Sequence, residues 1–580
     1  MGGGNFSNFK DLLGDLGGPD DEDQSETAND EGLVEEADEA SGDETYGETL
    51  RRLRRGGDGF GPMTHGPARY ADVESEEMEL FQSFRVRTVF PEAVLAEVGA
   101  LPDNPPPADY EGVAGREDLR DQRIFTIDGA DAKDFDDAIC IKKLSDGFEV
   151  SVHIADVSHY VKPRTALNAE ALARATSVYV ADQVVPMLPE KLSNGLCSLR
   201  PDCERLAFSV FMEFDEKGAR KSYRVSKSVI RSMRRCTYKQ VQELLDGEDN
   251  EGTQAIADLH DDLEHFRIWT RKQQAIRDRK GSLRLQSGER KFKFGDDGEV
   301  TGTYLSANYF SQTLIEETAL AANQAVGDFF KKHGLPTVYR VHPEKDPEEV
   351  AEVVEMLAKF GIRVPKKDRL TGRDIGQMVR YARTLPNNEA MIGRIMGLVE
   401  KAVYEVRSHD DEAGHFGLAR EHYLHFTSPI RRYPDLIVHR MLYEVLTDEK
   451  AHVEELSEPE ALLDLMDVSG HATHQASLAA MVEVAIDDLK ICQLMEPRTG
   501  EILKARISRV SRAGLEVQLS DEYVTGFLPS STLGGQARAD GPVLKVRAGR
   551  GTLVFREGDA IEVKVEDVDF VRLRVIFALR

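Results

Sequence analysis

Five aspartates crowd residues 128–137, where the chain reads DGADAKDFDD. The flanking runs, residues 123–127 and 138–142, are rich in β-branched and aromatic residues, so they predict two short strands that pin the ends of the loop. Carboxylates held this close repel one another, and several would have to take up protons unless a cation lay among them. The pattern therefore predicts a binding site for a hard divalent metal ion.

Two other interpretations of this loop fit the residues less well. A solvated acidic turn usually mixes Glu, Lys, Ser and Gly, whereas this run uses Asp almost alone and carries Phe135. A calcium loop of the EF-hand type needs acids at alternate positions, a glycine at the sixth and a glutamate at the twelfth, and the spacing here differs. Magnesium fits better, because it is held by a few carboxylates together with water and substrate phosphates.

Length and composition set the wider expectations. A chain of 580 residues is long enough for about three or four domains. No apolar run approaches the length of a membrane span and the N-terminus has no signal-peptide pattern, so we expect a cytoplasmic protein without membrane contact. The five cysteines form no CxxC pair, which argues against a zinc knuckle or a disulfide framework and predicts reduced, packed thiols.

The net charge of −29 counts at first against a nucleic-acid partner, but the charge is unevenly distributed. Residues 11–48 carry a dense run of acids with almost no aromatic residues, and such a segment cannot bury enough apolar surface to fold. We therefore expect an acidic disordered tail over residues 1–60 that aids solubility, followed by a linker over residues 61–115.

Several long motifs now stand together, and they resemble one family. The segments TIDGADAKDFDDA, HIADVSHYV, TSVYVADQVVPMLPEKLSNGLCSL, LIEE, GHFGLA and HFTSPIRRYPDL are similar to the RNB domain of the ribonuclease II and ribonuclease R exoribonucleases. The likeness runs from about Phe84 to about Met495. Residues 498–580, with short alternating strands separated by turns, resemble an S1-type OB-fold, a five-stranded barrel that binds single-stranded nucleic acid.

The resemblance implies an α+β fold and an activity. We expect an RNB catalytic domain over residues 116–495, with a mixed β-sheet wrapped by helices, followed by the S1-type OB-fold β-barrel. The implied reaction is hydrolysis of single-stranded RNA from the 3′ end, with release of nucleoside 5′-monophosphates, by a monomer that uses two Mg²⁺ ions, with Mn²⁺ as the alternative. The residues alone predict only a magnesium-dependent phosphodiesterase.

The resemblance also assigns roles to individual residues. The family's metal ligands match Asp128, Asp134, Asp136 and Asp137, whereas Asp131 is extra and is placed outside the metal shell. Asp136 is expected to be the most critical for the chemical step.

Basic and aromatic side chains complete the expected site. Arg431 or Arg432 would bind phosphate oxygens and stabilise the charge of the transition state, with Arg431 preferred and a surface ion pair with Asp435 as the alternative role. Tyr179 matches the aromatic residue that stacks on the 3′-terminal bases. Arg340 and His342 are weaker RNA-binding candidates, for which core packing is an equal alternative.

The chain also departs from the family pattern. Two cold-shock domains usually precede the catalytic domain and a lysine-rich tail often follows the S1 domain, and with fewer than about 85 residues before the match and the sequence ending at residue 580 we expect both to be absent. We therefore expect a lower RNA affinity with a shallower salt dependence, since fewer phosphates would be neutralised. Residues 475–481, QASLAAM, also occupy the position where relatives tend to carry a cluster of acidic and basic residues, so we expect a supporting contact to be lost there.

Three alternatives stay open at this point. The acidic tail is a candidate polyanion mimic that competes with RNA, in which case deleting residues 1–60 raises RNA affinity at low salt. It is also a candidate docking segment for a protein partner. Finally, a non-catalytic RNA-binding scaffold with an RNB fold is the rival to an enzyme, although all four matched aspartates, the tyrosine and the arginine pair are present.

Overall fold

The computed structural model describes residues 75–580, except for 114, 182, 283–288, 296–297, 344, 360, 363–369, 371, 386–388, 408–413, 457, 521 and 549–550. The described residues form two compact units, a larger one over 75–282 and 306–483 and a smaller one over 289–305 and 484–580. The acidic tail predicted for residues 1–60 lies outside the described residues. Within the described part, no helix has both the length and the apolar run that a membrane crossing requires.

A seven-stranded sheet forms the centre of the larger unit, in the order β1-β8-β7-β4-β3-β2-β9. The β1–β8 and β2–β9 pairs are parallel and the other neighbours are antiparallel. The strands are β1 (Arg116–Asp118), β2 (Phe125–Asp128), β3 (Asp137–Leu144), β4 (Gly147–Ala155), β7 (Glu204–Asp215), β8 (Arg220–Arg231) and β9 (Arg234–Thr237). The sheet is therefore mixed, as expected, and β2 and β3 are the two strands predicted to flank the aspartates.

Helices pack against this sheet and bury its central strands. The described helices are α1 (Ser75–Ser83), α2 (Glu92–Gly99), α3 (Ala166–Arg174), α4 (Tyr238–Leu245), α5 (Glu251–Gln254), α6 (His260–Lys280), α7 (Phe310–Lys332), α8 (Pro347–Lys359), α9 (Gly372–Ala382), α10 (Glu389–Met396), α11 (Tyr433–Leu456) and α12 (Pro459–Met495). Helix α6 packs on β3, and α7 packs on β4 and β7. Strand β4 consequently has almost no exposed position, because its residues face helices as well as neighbouring strands.

The described residues of the larger unit also form three two-stranded sheets. They pair β5 (Val178–Val180) with β6 (Gln183–Val185), β12 (Thr337–Val341) with β13 (Val403–Arg407), and β14 (Gly414–His415) with β15 (Arg420–Glu421). A separate apolar cluster holds α8, α9 and α10 together through Leu357, Ile375, Met378 and Ile395. The β5–β6 hairpin carries Tyr179.

The smaller unit contains a closed five-stranded barrel in the order β16-β17-β18-β23-β22. Its strands are β16 (Ile502–Val510), β17 (Gly514–Leu519), β18 (Thr525–Pro529), β22 (Ala560–Asp569) and β23 (Arg574–Leu579). A Cβ on Gly526 would lie 2.3 Å from the ring of Phe577, which fills the barrel, so only glycine fits there. This barrel confirms the predicted S1-type fold.

Two further sheets belong to the smaller unit. A hairpin joins β10 (Arg290–Phe294) to β11 (Val300–Leu305). A three-stranded antiparallel sheet of β19 (Gln536–Asp540), β20 (Val543–Ala548) and β21 (Gly551–Arg556) is inserted in the chain between β18 and β22. All five cysteines are free, and four of them are buried, as expected of packed thiols.

Candidate active site

The loop that carries the aspartates is fastened at both ends. Arg235, on β9, donates from Nη2 to the carbonyl oxygens of Gly129 and Ala130 at 2.7 and 2.6 Å. At the other end the backbone N–H of Phe135 donates to Ser198 Oγ at 3.0 Å. Because β9 runs parallel to β2, the Arg235 side chain is presented beside the point where the loop leaves the sheet. The loop is thus held by side chains far from it in sequence.

The four predicted metal ligands are brought together by the β2–β3 turn. Asp128 is the last residue of β2, Asp134 lies in the loop, and Asp137 is the first residue of β3. Asp136 is the most buried of the four, at 5 % exposure. Asp131, which the sequence placed outside the metal shell, is exposed on the loop.

Burial, aided at Asp128 and Asp136 by neighbouring carboxylates, makes Asp128, Asp136 and Asp137 hard to ionise in the absence of a cation. Burial, followed by the charges of Asp137 and Asp134, raises the pKa of Asp128 to about 8. Burial raises the pKa of Asp137 to about 6 and that of Asp136 well above its usual value. A divalent cation would remove this penalty, since an opposite charge favours the ionised form.

The donor set fits a magnesium ion, although the cage is not closed. Within the part of the chain that the structure describes, no three carboxylate, imidazole or thiolate groups already form a ready-made metal cage. Asp128 Oδ2, however, is buried without a hydrogen-bond partner, and such an oxygen is costly unless something coordinates it. Oxygen-only ligands are those that Mg²⁺ prefers. Asp128, Asp134, Asp136 and Asp137 are the residues that would hold it.

Both carboxylate oxygens of Asp136 contact the loop that precedes α11. Its Oδ1 accepts the backbone N–H of Ile430 at 2.9 Å, and its Oδ2 lies 3.6 Å from Arg431 Nε. The side chain of Arg431 is 39 % exposed. Arg431 therefore faces the carboxylate cluster while part of its guanidinium stays open to an incoming anion.

Arg432 is used differently from its neighbour. It forms a two-pronged ion pair with Asp435, Nε to Oδ2 at 2.9 Å and Nη2 to Oδ1 at 2.7 Å. Asp435 is fully buried and also accepts the backbone N–H of Ser428 at 2.8 Å. Arg432 therefore holds the loop in shape through its ion pair with Asp435, which is largely buried and not at the surface, where the sequence placed this alternative role.

The same loop is bonded to the segment that leads into the Tyr179 hairpin. The backbone N–H of Ser177 donates to the carbonyl oxygen of Arg431 at 3.0 Å, and that of Tyr433 donates to Ala175 at 2.9 Å. Tyr179 is 39 % exposed, its hydroxyl lies 3.4 Å from Asp134 Oδ2, and its N–H donates to Glu483. The ring of Tyr179 is thus presented at the edge of the carboxylate cluster.

Arg340 and His342 lie on or just after β12, within a group of aromatic and imidazole side chains. The Arg340 guanidinium stacks 4.4 Å from the ring centre of Tyr404, and burial lowers its pKa. His342 contacts the carbonyl oxygen of Glu400 at 2.6 Å and His415 at 3.2 Å. Both are partly buried and engaged in packing, which was one of their two expected roles.

Tyr238 is a neighbour of the site that the sequence reasoning missed. It is the first residue of α4, directly after β9, and the charges of Asp128 and Asp137 help burial to raise its pKa. The Thr237 side chain accepts the backbone N–H of Gln240, and the Gln240 side chain accepts the backbone N–H of Thr237. This reciprocal capping is recognisable in the sequence as T-x-x-Q. That signature places a helix start here, but only the parallel pairing of β9 with β2 brings it beside Asp128.

Comparison with known proteins identifies two domains in this chain. Residues 116–448 match the RNB domain, and residues 496–580 match the S1 RNA binding domain. Ribonuclease R of Thermotoga maritima is 36 % identical over 493 residues, which cover 84 % of this chain and 68 % of that protein. Ribonuclease R 1 of Lactococcus lactis is 34 % identical over 502 residues, covering 86 % of this chain and 60 % of that protein.

A solved structure shares the architecture. The Mycoplasma genitalium RNase R bound to ribose-methylated single-stranded RNA is 25 % identical, with a TM-score of 0.77, and the match covers 87 % of this chain and 77 % of that one. The chain thus spans 60 to 68 % of the two curated relatives' own lengths. With a matching domain over more than half of its residues, the chain belongs to the RNB family and carries an S1 RNA-binding domain at its C-terminal end.

Proposed function

We propose that this protein is a magnesium-dependent 3′-to-5′ exoribonuclease, which hydrolyses single-stranded RNA from its 3′ end and releases nucleoside 5′-monophosphates by a two-metal mechanism. One observation carries the proposal. Asp136, in a cluster of four carboxylates, is fixed by Ile430 and faces the part-exposed guanidinium of Arg431. Carboxylates beside an accessible arginine are suited to hold a metal-bound phosphodiester.

The carboxylates and the arginine divide the electrostatic work. Two bound Mg²⁺ ions would polarise the phosphate and lower the pKa of a water molecule, which makes that water a better nucleophile. Asp128, Asp134, Asp136 and Asp137 would hold these ions. The Arg431 guanidinium would donate to the phosphate oxygens, where charge builds up in the transition state, and its hydrogen bond to Ser428 Oγ at 3.1 Å limits its freedom to turn away.

The substrate and the direction of attack rest on the relatives. Two relatives are named ribonuclease R, and the solved RNase R of Mycoplasma genitalium is described with single-stranded RNA. In this chain the exposed ring of Tyr179 beside Asp134 offers a stacking surface for the terminal base. A base held there would place the adjacent phosphodiester over the carboxylate cluster.

The test uses the full chain with a single-stranded RNA labelled at its 5′ end. We expect progressive shortening to one short labelled product, with release of mononucleotides, in Mg²⁺ and no cleavage in EDTA. Immediate release of the labelled 5′ nucleotide would overturn the direction, and cleavage undiminished in EDTA would overturn the metal requirement. Single-stranded DNA of the same sequence, run in parallel, should stay intact if RNA is the substrate class.

A further inference from the structure

The sheet inserted into the smaller unit has one strongly cationic face. We call the exposed side of β19–β21 the basic face, and its charged residues are Arg538, Asp540, Lys545, Arg547 and Arg556. Four of these five are cations, although the chain as a whole has a net charge of −29. Four exposed cations on one face are unexpected in so acidic a protein.

The strand register places the four cations on a single side of the sheet. Arg538 is directly opposite Lys545, and residues directly opposite each other in an antiparallel pair point the same way. Val543, Lys545 and Arg547 alternate along β20 and so point to the same side of the sheet. Arg556 is directly opposite Val543 and therefore shares that side. All four are exposed.

The opposite side of the same sheet is apolar. Leu544 and Val546 are fully buried, and Phe555 is 8 % exposed. The alternation along β20 therefore fixes which way each side chain points, because a slip of one residue would bury the cations and expose the leucine. The basic face is held in place by the packing beneath it.

The cations of this face are largely uncompensated. Lys545 has an ion pair with Asp540, at 3.8 Å between Nζ and Oδ2. Among the residues that the structure describes, no carboxylate lies within ion-pair distance of the guanidinium groups of Arg538, Arg547 or Arg556. Three arginines that repel one another on one exposed face are suited to bind an external polyanion.

We propose that the basic face binds the phosphate backbone of RNA, as a second contact surface outside the barrel itself; this inference rests on the proposed action on RNA. Side chains two residues apart on a strand are spaced by about 7 Å, and those on neighbouring strands by about 4.8 Å, so the face offers a grid of cations to a flexible chain of phosphates. Phosphate contacts of this kind are independent of base sequence and sensitive to salt.

The experiment compares two charge-matched variants of the full chain in EDTA, where RNA is bound without being cut. One is Arg538→Gln/Arg547→Gln/Arg556→Gln. The control removes three exposed lysines of the larger unit, as Lys217→Gln/Lys280→Gln/Lys332→Gln. The affinity of each variant for a 30-nucleotide single-stranded RNA is measured over a range of salt concentrations.

Loss of three phosphate contacts should lower the magnitude of the slope of log affinity against log salt by about 2 in the arginine variant. We expect the slope of the control to change by less than half as much.

A third variant separates charge from folding. Arg538→Lys/Arg547→Lys/Arg556→Lys keeps the charges and should keep most of the slope, and the three variants should unfold at the same temperature as the parent. Equal slopes for the glutamine variant and the parent would overturn the proposal. So would a rise in RNA affinity on removing the arginines that matches the rise on deleting residues 1–60, because the occupant would then be the chain's own acidic segment.

The catalytic proposal stays separately testable. Cleavage of RNA in Mg²⁺ is measured on the parent and on the lysine control, whose substitutions lie outside both the carboxylate site and the basic face, and the two should cut alike. If the parent fails to cut RNA but the salt slopes still differ, the proposed hydrolysis fails and the RNA-binding face stands.

Discussion

Ile430 donates its backbone N–H to Asp136 Oδ1 at 2.9 Å, across 294 residues of sequence. The bond joins the aspartate-rich loop after β2 to the arginine-bearing loop before α11, so the two motifs form one structural unit. Because the donor is a main-chain group, it orients the carboxylate without neutralising its charge. The other oxygen of Asp136 is left facing Arg431 and the neighbouring carboxylates.

Replacing Asp136 by asparagine should separate binding from cleavage. Asparagine can still accept the N–H of Ile430, so the loop should keep its shape, but the negative charge that would hold a metal ion is lost. We expect RNA affinity within about threefold of the parent and cleavage slower by about 100-fold or more. Asp131→Asn is the matched control, since Asp131 is exposed on the same loop, and it should cut at the parental rate. Parental cleavage by Asp136→Asn would remove Asp136 from the chemistry.

Arg431 should affect turnover more than binding. Its guanidinium is part-exposed and turned toward the carboxylate cluster, so Arg431→Gln should lower kcat by about 10²- to 10³-fold, the usual cost of a lost transition-state donor. Arg431→Lys keeps the charge but loses the paired donors, so its kcat should lie between that of Arg431→Gln and that of the parent. The measurement is steady-state cleavage of RNA over a range of substrate concentrations, which gives kcat and KM separately. An effect confined to KM would show that Arg431 only binds the ground state.

The sequence predicted the components of this site better than their arrangement. The spacing of the aspartates was sufficient to expect metal chemistry, and the alternation after residue 498 was sufficient to expect the barrel. The sequence favoured Arg431 over Arg432 for the phosphate contact, but two adjacent residues with the same side chain gave no sign that Arg432 is committed to a buried partner. The division of roles follows from burial, because Asp435 is fully buried and accepts both Nε and Nη2 of Arg432.

Contacts made by the backbone or by distant residues were beyond the sequence for a related reason. The Ile430 N–H has no side-chain signature, and Arg235 binds the aspartate loop only because β9 lies parallel to β2. The basic face was also invisible, since its cations become one surface only in the register of β19–β21. Topology, which depends on the whole chain, supplied all three.

Asp435→Asn should destabilise the protein strongly. The substitution leaves the largely buried Arg432 guanidinium without its charged partner, and breaking a buried pair in this way costs about 3 kcal/mol in the free energy of unfolding. Asp118→Asn is the matched control, because the Asp118–Arg120 pair is exposed and should contribute less than about 1 kcal/mol. Urea denaturation of both variants makes the comparison. Equal losses would mean that the Arg432–Asp435 pair is no stronger than a surface pair.

Tyr179 should contribute through its ring more than through its hydroxyl. Tyr179 is 39 % exposed, and its hydroxyl is a long 3.4 Å from Asp134 Oδ2. Tyr179→Ala should weaken RNA binding by about 1 to 3 kcal/mol, the value of one stacked base, whereas Tyr179→Phe should stay close to the parent. Tyr381→Ala, at a similarly exposed tyrosine, is the control for loss of a ring. If phenylalanine were as damaging as alanine, the hydroxyl would be the active group.

Acid should destabilise the larger unit through His439. This imidazole is fully buried between the rings of Phe208 and Phe426, donates from Nε2 to the Phe426 carbonyl oxygen at 2.8 Å, and leaves Nδ1 without a partner. A proton on Nδ1 would therefore have no acceptor, and burial lowers the pKa of His439 to about 4, despite the charges of Asp156 and Asp435.

The folded pKa of His439 lies below its unfolded value of about 6.5, so the unfolded chain binds the extra proton between these limits. Stability from this residue is fully present above pH 6.5 and is lost progressively as the pH falls toward 4, by about 3 kcal/mol in all. His439→Gln keeps a donor for Phe426 but cannot titrate, so its free energy of unfolding should gain on the parent by that amount between pH 7 and pH 4. Denaturation curves at several pH values measure the gain, and exposed His474→Gln should show none. A gap between parent and His439→Gln that stays constant with pH would show that His439 binds no proton on unfolding.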